Sequence, residues 1–152
     1  MASPEPPSSE FCVPIPWGYI AVEEWGDASS EKPAWIVLHG YYYNSGSFNR
    51  FAPHFRKRGH RLLCIDLPGH GLSSHYPSGM LYNFLDSLHY IKRVADHFGL
   101  EKFNLMGHSM GGAMCAVFSA TFQDQVRPIL SLSKASERAF GMGLQRGGKC
   151  SC

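Results

Sequence analysis

Apolar and polar positions along the chain change period several times, and each change marks an element. Between Cys12 and Trp25, the apolar residues Val13, Ile15 and Trp17 lead to a turn at Gly18, and a second run follows from Tyr19 to Trp25. That pattern predicts a β-hairpin. Pro14 and Pro16 have no amide donor, which assigns the first strand to a sheet edge. Gly26 to Pro33 is a polar connection. Two short continuous apolar runs follow, Ala34-Trp35-Ile36-Val37-Leu38 and Arg61-Leu62-Leu63-Cys64-Ile65-Asp66. Such runs suit strands buried on both faces of a parallel sheet. Ser47 to Arg58, between them, predicts a short amphipathic helix stopped by Gly59.

Further along, Leu81, Phe84, Leu85, Leu88, Ile91, Val94, Ala95 and Phe98 fall at helical spacing. They predict a helix over 81–98, with Gly99 as its C-terminal stop. A third buried strand is expected at Phe103 to Met106, an apolar helix from Gly112 to Phe122, and one more strand from Val126 to Leu132. The order (a hairpin, then strand and helix in alternation) argues for an α/β fold with a mostly parallel, right-handed sheet. After Ser133 the pattern stops. Lys134, Arg138, Arg146 and Lys149 stand there against one acid, Glu137, among four glycines, so the end reads as a flexible basic tail. The expected organisation is a disordered leader over 1–11, one domain over 12–133 and a tail over 134–152.

Composition changes this picture little. With 152 residues, 44% hydrophobic and 17% charged, the chain suits one globular core. A net charge of +2 gives no reason to expect nucleic acid or an anionic membrane as partner. No apolar run approaches the length of a membrane span, and Met1 to Ser9 lacks the apolar core of a signal peptide. Of the five cysteines, Cys64 and Cys115 lie in apolar runs, which fits small hydrophobes in a reducing compartment. The cytoplasm is therefore the expected location. Cys150-Ser151-Cys152 has one residue between its thiols and no second ligand pair, so no metal is expected there.

The sharpest chemistry is Gly107-His108-Ser109-Met110-Gly111, a G-x-S-x-G pattern. With 16 glycines in the chain such a pattern arises readily by chance. Its setting is what carries weight: an apolar strand enters it and an apolar helix leaves it. A serine on that tight turn is held in a strained conformation with its hydroxyl above the strand ends. Only small residues fit two positions to either side. The helix N-terminus places backbone N–H groups and a positive dipole end beside it.

Three segments in this order and spacing resemble the first half of an α/β-hydrolase: Leu38-His39-Gly40-Tyr41, Asp66-Leu67-Pro68-Gly69-His70-Gly71-Leu72-Ser73, and Gly107 to Gly112. The runs Val13-Pro14-Ile15-Pro16-Trp17-Gly18 and Gly69 to Tyr76 narrow the resemblance to a serine hydrolase-like group within that superfamily. The similarity covers about residues 12 to 133. It implies that Ser109 is a nucleophile and that the backbone N–H groups of Tyr41 and Met110 form an oxyanion hole. It also implies that His39, Gly40, Gly107, His108 and Gly111 shape the elbow and the neighbouring loop. Asp66 is expected to cap the turn after its strand, His75 to line the mouth, and His108 to point away from the hydroxyl. The implied substrate is a small ester or related acyl compound, hydrolysed without cofactor or metal. The resemblance also implies a perinuclear or peroxisome association, although the terminus Lys149 to Cys152 is not a peroxisomal S-K-L signal.

One feature departs from the family pattern. In this fold the catalytic order is serine, then Asp or Glu, then histidine. All eight histidines here (39, 54, 60, 70, 75, 89, 97 and 108) precede Ser109. The acids after it are Asp124, in the turn following the elbow helix, and Glu137, in the tail. A complete hydrolase of this class needs about 250 residues. The expectation is thus a C-terminally truncated form, weak or inactive as an esterase, with a non-catalytic binding role as the alternative.

Overall fold

The computed structural model describes residues 5–132, with side chains through Arg127. The tail expected over 134–152, with its Cys150 and Cys152, lies outside the described residues. Six strands form one sheet: β1 (Ser9–Ile15), β2 (Gly18–Trp25), β3 (Trp35–Leu38), β4 (Leu62–Ile65), β5 (Phe103–His108) and β6 (Val126–Leu132). Their spatial order is β1-β2-β4-β3-β5-β6. The hairpin β1–β2 is antiparallel and β2 meets β4 antiparallel, whereas β4, β3, β5 and β6 run parallel. This is the mixed α/β sheet that the pattern predicts, with proline-bearing β1 at an edge. Among the described residues no helix is long and apolar enough to cross a membrane.

The central strands alternate between two cores. Ile36 and Leu38 of β3, Leu63 and Ile65 of β4, and Phe103 and Leu105 of β5 face one side. There they pack under the helices α2 (Ser87–His97) and α3 (Met110–Thr121), against Ile91, Val94, Met114 and Phe118. Val37, Leu62, Cys64 and Met106 face the other side with Trp25, Phe48 and Phe51, under the short helix α1 (Ala52–Arg56). Side chains two apart share a face because the pleat has period two. Both faces are covered, so these strands are mostly apolar, with Asn104 and His108 of β5 as buried polar residues. On β2, Glu24 is buried and paired with Arg61 at 2.7 Å.

Several elements differ from expectation for identifiable reasons. The hairpin begins at Ser9, three residues before Cys12, because its ladder is built from backbone groups: Ser9 pairs with Glu24, and Ser8 N donates to Glu24 O. Polar side chains on an exposed edge gave no sign of it, so β1 takes in residues 9–11 of the expected leader. The helix expected from Ser47 to Arg58 is a 3-10 turn at Ser45–Phe48 followed by α1. Pro53 stands in the first turn of α1, where its missing N–H is harmless, and its ring disfavours helix before it. The helix expected over 81–98 begins at Ser87, after a 3-10 turn at Phe84–Asp86. Asn83 accepts from Leu85 N and the Ser87 hydroxyl donates to Phe84 O, so local polar bonds set that start. Leu81 is left 87% exposed.

Phe118 anchors α3 to the sheet. It is fully buried, with ring centroids 5.9 Å from Phe103 and 4.6 Å from Phe122. Phe118→Ala is expected to lower stability by about 3–5 kcal/mol, read as a lower urea midpoint with an unchanged slope.

Candidate functional site

Ser109 occupies the single residue between β5 and α3, with φ +50° and ψ −115°. Left-handed backbone at a residue carrying a Cβ costs on the order of 1–3 kcal/mol. It is held there by what surrounds it. Its carbonyl accepts from Gly112 N at 2.9 Å and Ala113 N at 3.2 Å, starting the helix at once. Two glycines let the turn close. A Cβ on Gly107 would lie 2.3 Å from the carbonyl carbon of Gly111, and one on Gly111 would lie 2.3 Å from the carbonyl oxygen of Leu38. The elbow is therefore wedged between β5 and the end of β3. The Ser109 side is exposed, and among the described residues no histidine hydrogen-bonds its hydroxyl.

The loop after β3 packs directly on this turn. A Cβ on Gly40 would meet His108 Nδ1 at 2.7 Å, so the His108 ring sits on the Gly40 backbone. The ring is buried and edge-on to Tyr43, with centroids 5.6 Å apart. Tyr43 N donates to Gly40 O, and Tyr42, at φ +64°, carries the chain round the bend. Tyr41 and Tyr42 project outward with ring centroids 4.2 Å apart. The conformation of this loop was not legible beforehand, since three consecutive tyrosines give no turn signal.

His39 is a fully buried strut. Leu67 N donates to its Nε2 at 3.0 Å, which makes Nε2 an acceptor and leaves the proton on Nδ1, 2.8 Å from Gly40 O. Burial pushes its pKa down to about 4. The ring thus stays neutral and ties the loop after β3 to the loop after β4. Asp66 does the same with its carboxylate: Oδ1 accepts from Ser45 N at 2.6 Å and Oδ2 from Leu72 N at 2.7 Å. Asp66 caps the turn after β4, as its place at the strand end suggested. Its second bond, to Ser45, has no counterpart in the sequence pattern.

Ser45 in turn donates its hydroxyl to Glu23 Oε1 at 3.0 Å. Glu23 lies on β2 opposite Cys64, and burial, with help from the nearby Asp66 and Glu10 carboxylates, pushes its pKa up to about 7. This residue escaped sequence reasoning because an acid in an amphipathic strand reads as solvent-facing.

The structure brings Tyr41 and Met110 to one cavity of about 530 Å³, together with His70 and His75. That volume is ordinary for a small-molecule site. Tyr76, Tyr82, Phe84, Tyr90 and Met114 complete its aromatic and apolar walls. The sequence pattern places Phe84 in the helix expected over 81–98 and Met114 in the apolar helix after the elbow, and it does not single out Tyr76, Tyr82 and Tyr90 as wall residues.

Glu23 and His39 set opposite pH slopes. Glu23 remains protonated in the folded chain up to about pH 7 but ionises near 4.5 once unfolded, so its contribution falls as pH rises through that window. His39 is protonated below about 6.5 when unfolded but stays neutral to about 4 when folded, so its contribution is lost as pH falls. Between pH 4.5 and 6.5 the two offset one another. Glu23→Gln is expected to unmask the histidine: stability should rise with pH there by up to about 1.4 kcal/mol per unit. Urea unfolding at pH 5, 6 and 7.5 measures this, and parallel profiles for the two chains would contradict the assignment.

Comparison with known proteins accords with this geometry. The family model for the alpha/beta hydrolase fold matches residues 33–146. A protein of Drosophila melanogaster named "Probable serine hydrolase" is 38% identical over 87% of this chain and 39% of its own length. A serine hydrolase-like protein of Danio rerio is 39% identical over 82% of this chain and 37% of its own. The chain thus spans about two fifths of these relatives. The solved hypothetical protein PA1622 of Pseudomonas aeruginosa PAO1 superposes with a TM-score of 0.74 at 30% identity, covering 80% of this chain and 42% of that one. With its elbow, its sheet order and these relatives in agreement, the chain belongs to the α/β-hydrolase family.

Proposed function

We propose that the chain carries the nucleophile half of a serine acyl hydrolase, with Ser109 as nucleophile and the backbone N–H groups of Met110 and Tyr41 as oxyanion donors. The observation that carries this reading is the left-handed, exposed Ser109 at the head of α3. Strain of that kind at a functional position is maintained because it aims a group. Relatives named as serine hydrolases support the same chemistry.

In such a reaction the Ser109 oxygen attacks the carbonyl carbon of an ester, and the carbonyl π pair moves onto oxygen. The two backbone N–H groups receive that oxyanion, which collapses to expel the alcohol and leave an acyl-serine ester for water to cleave. The serine proton needs a base. His39 is committed to Leu67 N and Gly40 O, and His108 is buried on Gly40. No histidine follows Ser109 in these 152 residues. In serine proteases the oxyanion hole and binding alone retain on the order of 10³–10⁴ over the uncatalysed reaction when a triad member is removed. The 152-residue chain should therefore turn over esters at that residual level. An exposed serine with no histidine bonded to it, among the described residues, also favours a second reading: a hydrolase fold that binds acyl compounds without cleaving them.

Labelling with an alkyl fluorophosphonate separates the two. The expected outcome is slow labelling that Ser109→Ala abolishes, with unchanged circular dichroism. A folded chain that stays unlabelled over a day supports the binding reading instead.

A further inference from the structure

The cavity beside the elbow has a chemical character more specific than "apolar". None of its lining residues is Asp, Glu, Lys or Arg. Burial pushes Tyr90 up to about 12, so that phenol also stays uncharged. The walls are two groups of rings. In one group Tyr76 and Tyr82 are tilted against each other, 4.4 Å apart and 34° between planes, with Trp17 5.2 Å from Tyr76. In the other, Tyr41 and Tyr42 pack together at 4.2 Å, with the His70 ring 6.2 Å from Tyr41.

Hydroxyls of the first wall are already engaged. Tyr76 OH donates to Asp86 Oδ2 at 2.9 Å, and Tyr82 OH accepts from Tyr76 N at 3.2 Å with His75 Nδ1 also at 3.2 Å. What these side chains offer a ligand is ring surface. The Tyr82 ring is seated on Gly69, where a Cβ would come within 2.6 Å of its hydroxyl, so the wall is set by backbone as well as by hydrogen bonds. Yet Tyr41, Tyr42 and Tyr82 are each more than half exposed. An uncovered set of aromatic surfaces, with no carboxylate, ammonium or guanidinium among the lining residues, is a stacking site for a flat ring.

We propose that the cavity takes a flat, uncharged aromatic group, and that the esters reaching Ser109 are those bearing one. The ester half of this statement rests on the nucleophile assignment above; the aromatic-binding half does not. Met110 and Tyr41 line the cavity and flank the proposed oxyanion hole, so a ring held between the walls keeps its carbonyl substituent at that end. An anionic carboxylate or phosphate group meets no fixed cation there. An alkyl chain fills space but forfeits the stacking geometry.

Equilibrium binding tests this on the 152-residue chain without any turnover. Three probes suffice: 2-naphthamide, the isosteric anion 2-naphthoate, and octanamide, each titrated by ligand-observed NMR. The expected order places 2-naphthamide about tenfold or more ahead of both others. Tyr82→Ala should remove that advantage, whereas Tyr82→Phe, which keeps the ring, should preserve it. Equal binding of the three probes, or an advantage that survives Tyr82→Ala, overturns the proposal. Fluorophosphonate labelling of the same samples reports separately on Ser109. Selective naphthamide binding without labelling retires the nucleophile and keeps the aromatic site; labelling without selectivity does the reverse.

Discussion

Three backbone segments meet at the head of this sheet more closely than a single methyl group would permit, and the rest of the site depends on that meeting. The end of β3, the end of β5 and the first turn of α3 converge at Gly107 and Gly111, where any Cβ would overlap main-chain atoms. Because the helix can start immediately after the strand, Ser109 has no room to relax from its left-handed conformation. The strain is offset by the helix bonds it starts and by the core contacts of α3 on β5. Gly40 extends the same constraint by one layer, admitting the His108 ring against the loop that carries Tyr41.

A second tier of side chains locks the loops to one another. His39 joins the loop after β3 to the loop after β4, and Asp66 joins the latter to Ser45. Each is a buried polar group whose hydrogen bonds go to backbone amides, which orders main chain without a mobile partner. Glu23 ends this chain of bonds at the Ser45 hydroxyl, and burial, with the Asp66 carboxylate nearby, raises its pKa to about 7. Burial thus disfavours charge on both an acid and a base, with opposite consequences for the proton balance.

The sequence made the architecture readable wherever burial imposes a period. The short runs at 35–38, 62–65 and 103–106 suited two-sided strands, and the strand and helix flanking the glycines around Ser109 pointed to the elbow. Reading failed where backbone bonds or short polar caps decide the outcome. Ser9 to Phe11 joined β1 through ladder bonds that side chains do not encode. Asn83 and Ser87 stopped the helix short of Leu81, though apolar spacing continued through it. For the candidate site, sequence reading pointed to the elbow, His39 and Asp66. Its aromatic walls were not legible, because Tyr41, Tyr42, Tyr76 and Tyr82 lie in loops, where no hydrophobic period tells what a side chain faces.

The spatial order of the strands carries a consequence for how the molecule comes into being. Sequence order would place β3 beside β2, but β4 lies between them. A nascent chain emerging from the ribosome N-terminus first has its hairpin ready by Trp25 and β3 by Leu38, yet neither can dock on the other. Both wait for β4, whose last residue is Ile65, and β3 then waits again for β5. The apolar faces of three strands are therefore uncovered through the synthesis of some 40 residues after Ile65, about two to eight seconds at ordinary translation rates. Vectorial synthesis and sheet topology run out of step here, which makes this the interval when a chaperone has the most surface to hold.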